Sequence, residues 1–183
     1  MRTHIALLRG INVGGNKKMP MAELKAMFVQ LGFEDAVTLL QSGNVVFSAK
    51  GKSRDDLEKL LQEETEARIG VKCDYFIRTI EEWDKIIEAN PFPKEAEADP
   101  SHLLVGIQKG EVDLEELAAF QAAITGPEIF KPGRECTYAI YPDGIGDSKV
   151  DRVPGYRKLS AKGTARNWNT VLKLAALARK EDG

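Results

Sequence analysis

Histidine and cysteine are scarce: the 183-residue chain has two of each. Cys73 and Cys136 lie far apart in apolar, strand-like runs, with no CxxC and no Cys/His pairing. That excludes the usual zinc spacings and reads as two reduced, buried thiols. His4 and His102 sit at the starts of strand-like runs, which suits a satisfied structural histidine better than an acid–base catalyst. No GxSxG, HExxH or Cys–His signature is present. Asp143, Asp147 and Asp151 recur every four residues, but "DGIGDSKVD" is not an EF-hand loop. We therefore expect no metal and no cofactor.

Long hydrophobic runs are also missing. Only "IALL" precedes Arg9, too short for a signal-peptide core. No run approaches the ~20 apolar residues of a membrane span. The expectation is a cytoplasmic protein with no membrane partner, a monomer or weak homodimer. Aromatics make up 7% of residues, and the strand-like runs "IALL" and "NVVF" carry only Phe47. The stacking aromatics of an RNA-recognition sheet are thus absent.

What is present is an ordinary globular composition, 43% hydrophobic and 30% charged, with an uneven charge distribution. Fourteen acids face seven bases between Arg54 and Asp99, whereas nine bases face one acid between Lys149 and Lys180. A basic end on a chain of net charge -2 points either to an anionic partner or to a solvated basic helix.

Periodicity predicts the elements. "HIALLR" (4–9) reads as a buried strand. Leu24, Met27, Phe28 and Leu31 form one helical face, with Pro20 at its start and Gly32 at its exit. "AVTLL" and "NVVFS" flank a Gln41-Ser42-Gly43-Asn44 turn. Ser53 to Asp56 is a capping box opening a helix that Gly70 ends, and "VKCDYFI" is a strand. This β-α-β-β-α-β order is the ferredoxin-like split βαβ unit. A second capping box, Thr79 to Glu82, starts a helix with Ile80, Trp83, Ile86 and Ile87. The polar, proline-bounded stretch 91–100 reads as a linker.

The second half then runs β-α-β-β-α-α and closes on a helix in which Trp168, Val171, Leu172 and Ala175 share a face. The predicted architecture is α+β: a ferredoxin-like unit plus helix over 1–90, and a second, degenerate βαββα unit with a basic C-terminal helix over 101–183. "THIALLRG" and "SHLLVGIQKG" begin alike, which puts His4 and His102 in matching places and suggests a duplication.

Three polar stretches remain outside the apolar faces. In "LLRGINVGGNKKMP", Gly10 and Gly15 have P-loop spacing, but Asn16 stands where lysine belongs and no hydroxyl follows Lys17. What survives is a strand feeding a glycine-rich turn, then Lys17 and Lys18, then a helix N-terminus, an arrangement that favours anions. Gln41 and Asn44 put side-chain amides on either side of a turn. In "TARNWN", Asn167 or Thr164 suits a helix cap, Trp168 suits core packing, and Arg166 suits bidentate contact with an anion or pairing with a surface acid.

Together these three stretches, with "GIGDSK" ahead of Val150, resemble a bacterial domain-of-unknown-function family numbered 1697. The resemblance implies an α+β fold of ferredoxin-like character and no established reaction. It implies signature positions at Arg9, Gly10, Asn12, Gly14 and Gly15, at Gln41 to Asn44, and at Arg166 to Thr170. The sequence therefore raises three readings. The first is a composite site for a phosphate-bearing ligand, nucleotide or nucleic acid, built from Arg9, Gly10, Asn12, Gly14, Gly15, Lys17, Lys18, Gln41, Asn44, Arg166, Asn167 and Asn169. The second is a metal-independent enzyme on a small anionic substrate. The third is a structural protein whose motifs lock its two halves together.

Overall fold

A computed structural model describes residues 1–12 and 18–180. The chain forms two units, one from Met1–Asp84 together with the chain from Lys173 onward, the other from Lys85–Leu172.

In the first unit, β1 (His4–Arg9), α1 (Met21–Gln30), β2 (Val37–Thr38), β3 (Asn44–Phe47), α2 (Arg54–Ile69), β4 (Asp74–Thr79) and α3 (from Ile80) follow the predicted order. The sheet runs β2-β3-β1-β4 with every neighbour antiparallel. Local chemistry explains the boundaries. Ser53 accepts from the Asp56 amide, and Gly70 ends α2 in the left-handed region. Thr79 and Glu82 exchange bonds as a reciprocal capping box: the Thr79 amide donates to Glu82 Oε2 (2.9 Å) and the Glu82 amide to Thr79 Oγ1 (3.2 Å).

Ala6, Leu8, Val45, Phe47, Tyr75 and Ile77 face α1 and α2 in one core with Leu24, Phe28, Leu57 and Leu61. The alternate residues Ile5, Leu7, Val46 and Phe76 are also buried. A strand buried on both faces has no reason to alternate, hence the unbroken runs "IALL" and "VVF". One acid of the first unit is not solvated. Glu58 of α2 is buried and accepts the Ile77 amide at 2.9 Å.

The first unit also holds both ends of the described chain. Arg2 is buried, and its guanidinium donates to the carbonyls of Asp35 (2.6 Å), Lys180 (3.0 Å) and Leu177 (3.3 Å). A cation is thereby set on the carbonyl end of the C-terminal helix α7 (Trp168–Arg179).

The second unit contains β5 (Leu103–Gln108), α5 (Leu114–Ala123), β6 (Ile129–Gly133), β7 (Cys136–Ile140), α6 (Tyr156–Ala161) and β8 (Gly163–Asn167). A short helix α4, Pro93–Ala98, occupies the stretch read as a linker. The sheet runs β6-β7-β5-β8, the same order as the first. The second copy is therefore more complete than its sequence suggests, because β8 was not foreseen. "GTARN" has no apolar alternation and pairs along one edge only, with β5, so it carries no strand signal. In α7 the buried apolar residues are Trp168, Val171, Leu174, Ala175 and Ala178. Leu172, expected on that face, is exposed because it falls to one side of their line.

The pairing registers equate the two copies residue by residue. Ile5 lies opposite Arg78 and Val46; Val105 lies opposite Arg166 and Tyr138. On that frame His4 matches Leu104, not His102, and Gly10 matches Gly110, both with positive φ (72° and 77°). The apparent His4–His102 match is a slip of two residues. A shift of two leaves every side chain on its own face, so an apolar strand pattern cannot detect it.

Candidate functional site

The end of β1 and the β2–β3 turn meet through one side chain. Asn12, in the left-handed region at φ 54°, donates its Nδ2 hydrogens to the carbonyls of Gln41 (2.8 Å) and Met19 (3.1 Å). Its Oδ1 accepts the Met19 amide at 2.8 Å. One asparagine thus joins residue 12 to residue 19 across the neck of the β1–α1 connection and ties both to the hairpin. Leu8 donates to the Gly43 carbonyl (2.9 Å). Gly43 lets the hairpin lie this close: a Cβ there would stand 2.5 Å from Ile11 Cδ1 and 2.9 Å from Leu8 Cβ.

Asn44 is fully buried and donates to the Leu39 carbonyl (2.7 Å) and Ser42 Oγ (3.1 Å), fixing the turn from inside. Leu40 holds a left-handed backbone, φ 62°, and is 52% exposed. Gln41 is exposed and contributes its carbonyl to Asn12. Lys18 is exposed, and Arg9 stands half-buried at the strand end with Nε 3.8 Å from Asp74 Oδ2. An ion pair that open to water contributes little. Gly14, Gly15 and Lys17 lie outside the described residues.

The second copy shows what the fold itself requires here. Eleven residues, 10–20, connect β1 to α1, but only five, 109–113, connect β5 to α5. Five residues, 39–43, separate β2 from β3, but only Arg134 and Glu135 separate β6 from β7. Glu135 takes the place of Gly43, again with positive φ (51°), and its carbonyl again accepts from the equivalent strand residue, Gln108. Both extra lengths in the first unit fall at one end of its sheet, and Asn12 joins them.

The third stretch lies in the second unit. Arg166 on β8 is buried, and its Nη1 donates to Thr164 Oγ1 (2.7 Å) and to the Ala165 carbonyl (2.9 Å). Burial draws its guanidinium down to about 10. Asn167 Oδ1 accepts from the Thr170 amide (3.0 Å) and hydroxyl (3.1 Å) at the start of α7. Asn169 is exposed.

The first copy repeats the device. Arg78, at the position equivalent to Arg166, is buried on β4 and donates to the Ile77 carbonyl (2.7 Å), and Thr79 caps α3 as Asn167 caps α7. The sequence reading missed Arg78. The signal was a basic residue directly before a helix-capping residue, once in "RTIEEW" and once in "RNWNTV".

The histidines sit elsewhere. His4 is at the opposite end of β1 from Arg9, about 17 Å away for a strand of this length. Its Nδ1 lies 2.7 Å from Thr3 Oγ1, its ring packs on Phe47, and desolvation lowers its pKa. His102 Nδ1 is 3.1 Å from Asp99 Oδ2. Among the described residues, no three His, Cys, Asp or Glu side chains group so as to hold a metal ion, and no helix is long and apolar enough to cross a membrane.

No curated protein matches the chain. Among solved structures it is similar to "conserved bacterial protein SP0830 from Streptococcus pneumoniae", with 22% sequence identity, a TM-score of 0.72, and coverage of 98% of this chain and 99% of that one. This likeness, at so low an identity, is one of fold. Residues 1–138 match the family described as protein of unknown function (DUF1697), and the chain belongs to that family.

Proposed function

We propose that the protein binds an anionic, phosphate-bearing ligand, a nucleotide or a nucleic acid, at the enlarged end of the first unit's sheet. The observation that carries this reading is the difference between the copies. The second unit closes the same topology without the long β1–α1 connection and without the long hairpin. Chain length beyond what a fold needs, gathered at one end of a sheet and tied together, is where binding residues concentrate.

The roles divide by what each side chain does. Asn12 and Asn44 position the loops through bonds within the protein. Arg9 and Lys18 supply positive charge, Gly10 lets backbone approach the ligand, and the exposed Gln41 amide orients it. Arg166 and Asn167 have counterparts in Arg78 and Thr79, which supports reading them as part of the strand-to-helix device rather than of the ligand site.

Thermal shift with nucleotides and short oligonucleotides at two salt concentrations tests the proposal. A ligand at about a hundred times its Kd stabilises by about 2.7 kcal/mol, a shift of several degrees. Lys18→Ala and Arg9→Ala should each reduce it. The absence of a shift with every phosphate compound at low salt would sink the proposal.

A further inference from the structure

Leu40 is an anomaly that the fold does not demand. It is a γ-branched residue in the left-handed region, at φ 62°, with half of its apolar side chain in water. A non-glycine residue is strained there, and strain of this kind persists where it serves a site. Two other places in the same turn system have positive φ, and neither strands an apolar group: Gly43 has no side chain, and Glu135 in the other copy has a charged one. Leu40 also belongs to the extra length of the hairpin, since the second copy turns its strands with Arg134 and Glu135 alone. The next residue, Gln41, is exposed, and its carbonyl is held by Asn12, so the two side chains sit on a turn fixed against the β1–α1 connection.

We infer that Leu40 packs against the face of the ligand's base while the Gln41 side-chain amide pairs with its edge, so that this turn recognises the base and the phosphate is not held alone. The inference rests on the phosphate reading above and sharpens it. An apolar group and a carboxamide, both exposed on consecutive residues of one turn, match the two surfaces a base presents: a flat apolar face and an edge of alternating donors and acceptors. The base can belong to a free nucleotide or to a single strand, and the test separates these sources.

Binding of pyrophosphate, ATP and a single-stranded pentanucleotide is measured by calorimetry on the whole chain, for the natural sequence, Leu40→Gly and Gln41→Ala. The nucleobase compounds should bind at least about tenfold more tightly than pyrophosphate. Leu40→Gly should weaken them roughly five- to tenfold, by loss of a half-exposed leucine contact, and leave pyrophosphate unchanged. Without ligand, Leu40→Gly should raise the melting temperature by about 2–4 °C, because strain is relieved. A purely structural role predicts the reverse sign.

Preference for the pentanucleotide, with affinity falling steeply in salt, assigns the base to a nucleic acid; equal or tighter binding of ATP assigns it to a free nucleotide. Pyrophosphate bound as tightly as ATP and the pentanucleotide, or a lowered melting temperature for Leu40→Gly, overturns the inference and leaves the phosphate reading standing. No binding by any of the three compounds overturns both.

Discussion

Gly43→Ala should be far more damaging than Gly10→Ala, although both glycines have nearly the same backbone conformation (φ 82° and 72°). At Gly10 a Cβ meets nothing within 4 Å. The cost there is conformational, about 1–2 kcal/mol. At Gly43 the same term applies, and the new methyl also meets Ile11 Cδ1 at 2.5 Å and Leu8 Cβ at 2.9 Å. The Ile11 terminus can rotate aside, but a Cβ on a central strand cannot, so the hairpin must lift from β1. Overpacking of this kind adds about 1–3 kcal/mol, for a total of about 2–5 kcal/mol. For a chain of this size that lowers the melting temperature by roughly 4–20 °C, against a few degrees for Gly10→Ala.

The assay exploits the tryptophans. Trp83 lies in the first unit and Trp168 in the second, both buried. In a Trp168→Phe background, guanidinium denaturation followed by fluorescence reports the first unit through Trp83. Glu135→Gly, at the equivalent position of the other copy, should be neutral or stabilising by about 1 kcal/mol. If Gly43→Ala costs no more than Gly10→Ala, the close approach of hairpin to strand, and with it the rigid site, is wrong.

Arg2→Met keeps the buried stem but removes a charged donor from three carbonyls; it should cost about 2–4 kcal/mol and speed hydrogen exchange in the last turn of α7. Stability should fall as pH drops from about 7 to 5, because desolvation holds His4 below its ordinary pKa. The unfolded chain then binds the proton more readily than the folded one, so the contribution is full above the unfolded pKa and is lost as pH falls below it. His4→Gln should flatten that slope in a urea titration. Asn167→Ala should cost about 1 kcal/mol through loss of the α7 cap, read by the urea midpoint, and Asn167→Asp should retain most of it. Asn12→Ala should abolish the ligand-induced thermal shift while leaving Lys18 in place, because it frees residue 19 from residue 12 and both from the hairpin.

The legible parts of the fold were those in which local chemistry and tertiary structure agree. Ser53, Thr79 and Asp113 announce helices that do start there, and Gly70 announces an end. Strand β8 was silent because the one residue it buries is Arg166, and a sequence pattern counts an arginine as exposed. Glu58 reads as one more acid on a solvated helix, and only the approach of the Ile77 amide marks it as buried.

At the site, the three polar stretches are conspicuous as residues, but their roles are not. Asparagine serves as a loop clamp at 12, a turn filler at 44 and a helix cap at 167. Nothing in the letter distinguishes these uses. Leu40 is invisible for the opposite reason: a leucine beside a strand looks like core, and its exposure follows from a backbone angle.

The grip of Arg2 on the last turn of α7 has a consequence for how the protein is made. The first unit is unfinished until the chain from Lys173 onward emerges, so residues 85–172 are all synthesised in the meantime. At about 5–20 residues per second that is a wait of roughly 4–18 s. The unit encoded first is therefore not the one whose chain is finished first: all of Lys85–Leu172 is made before the last segment that the first unit needs. A chain released by a stop codon near residue 172 would lack the segment that belongs to the first unit, not the chain of the second.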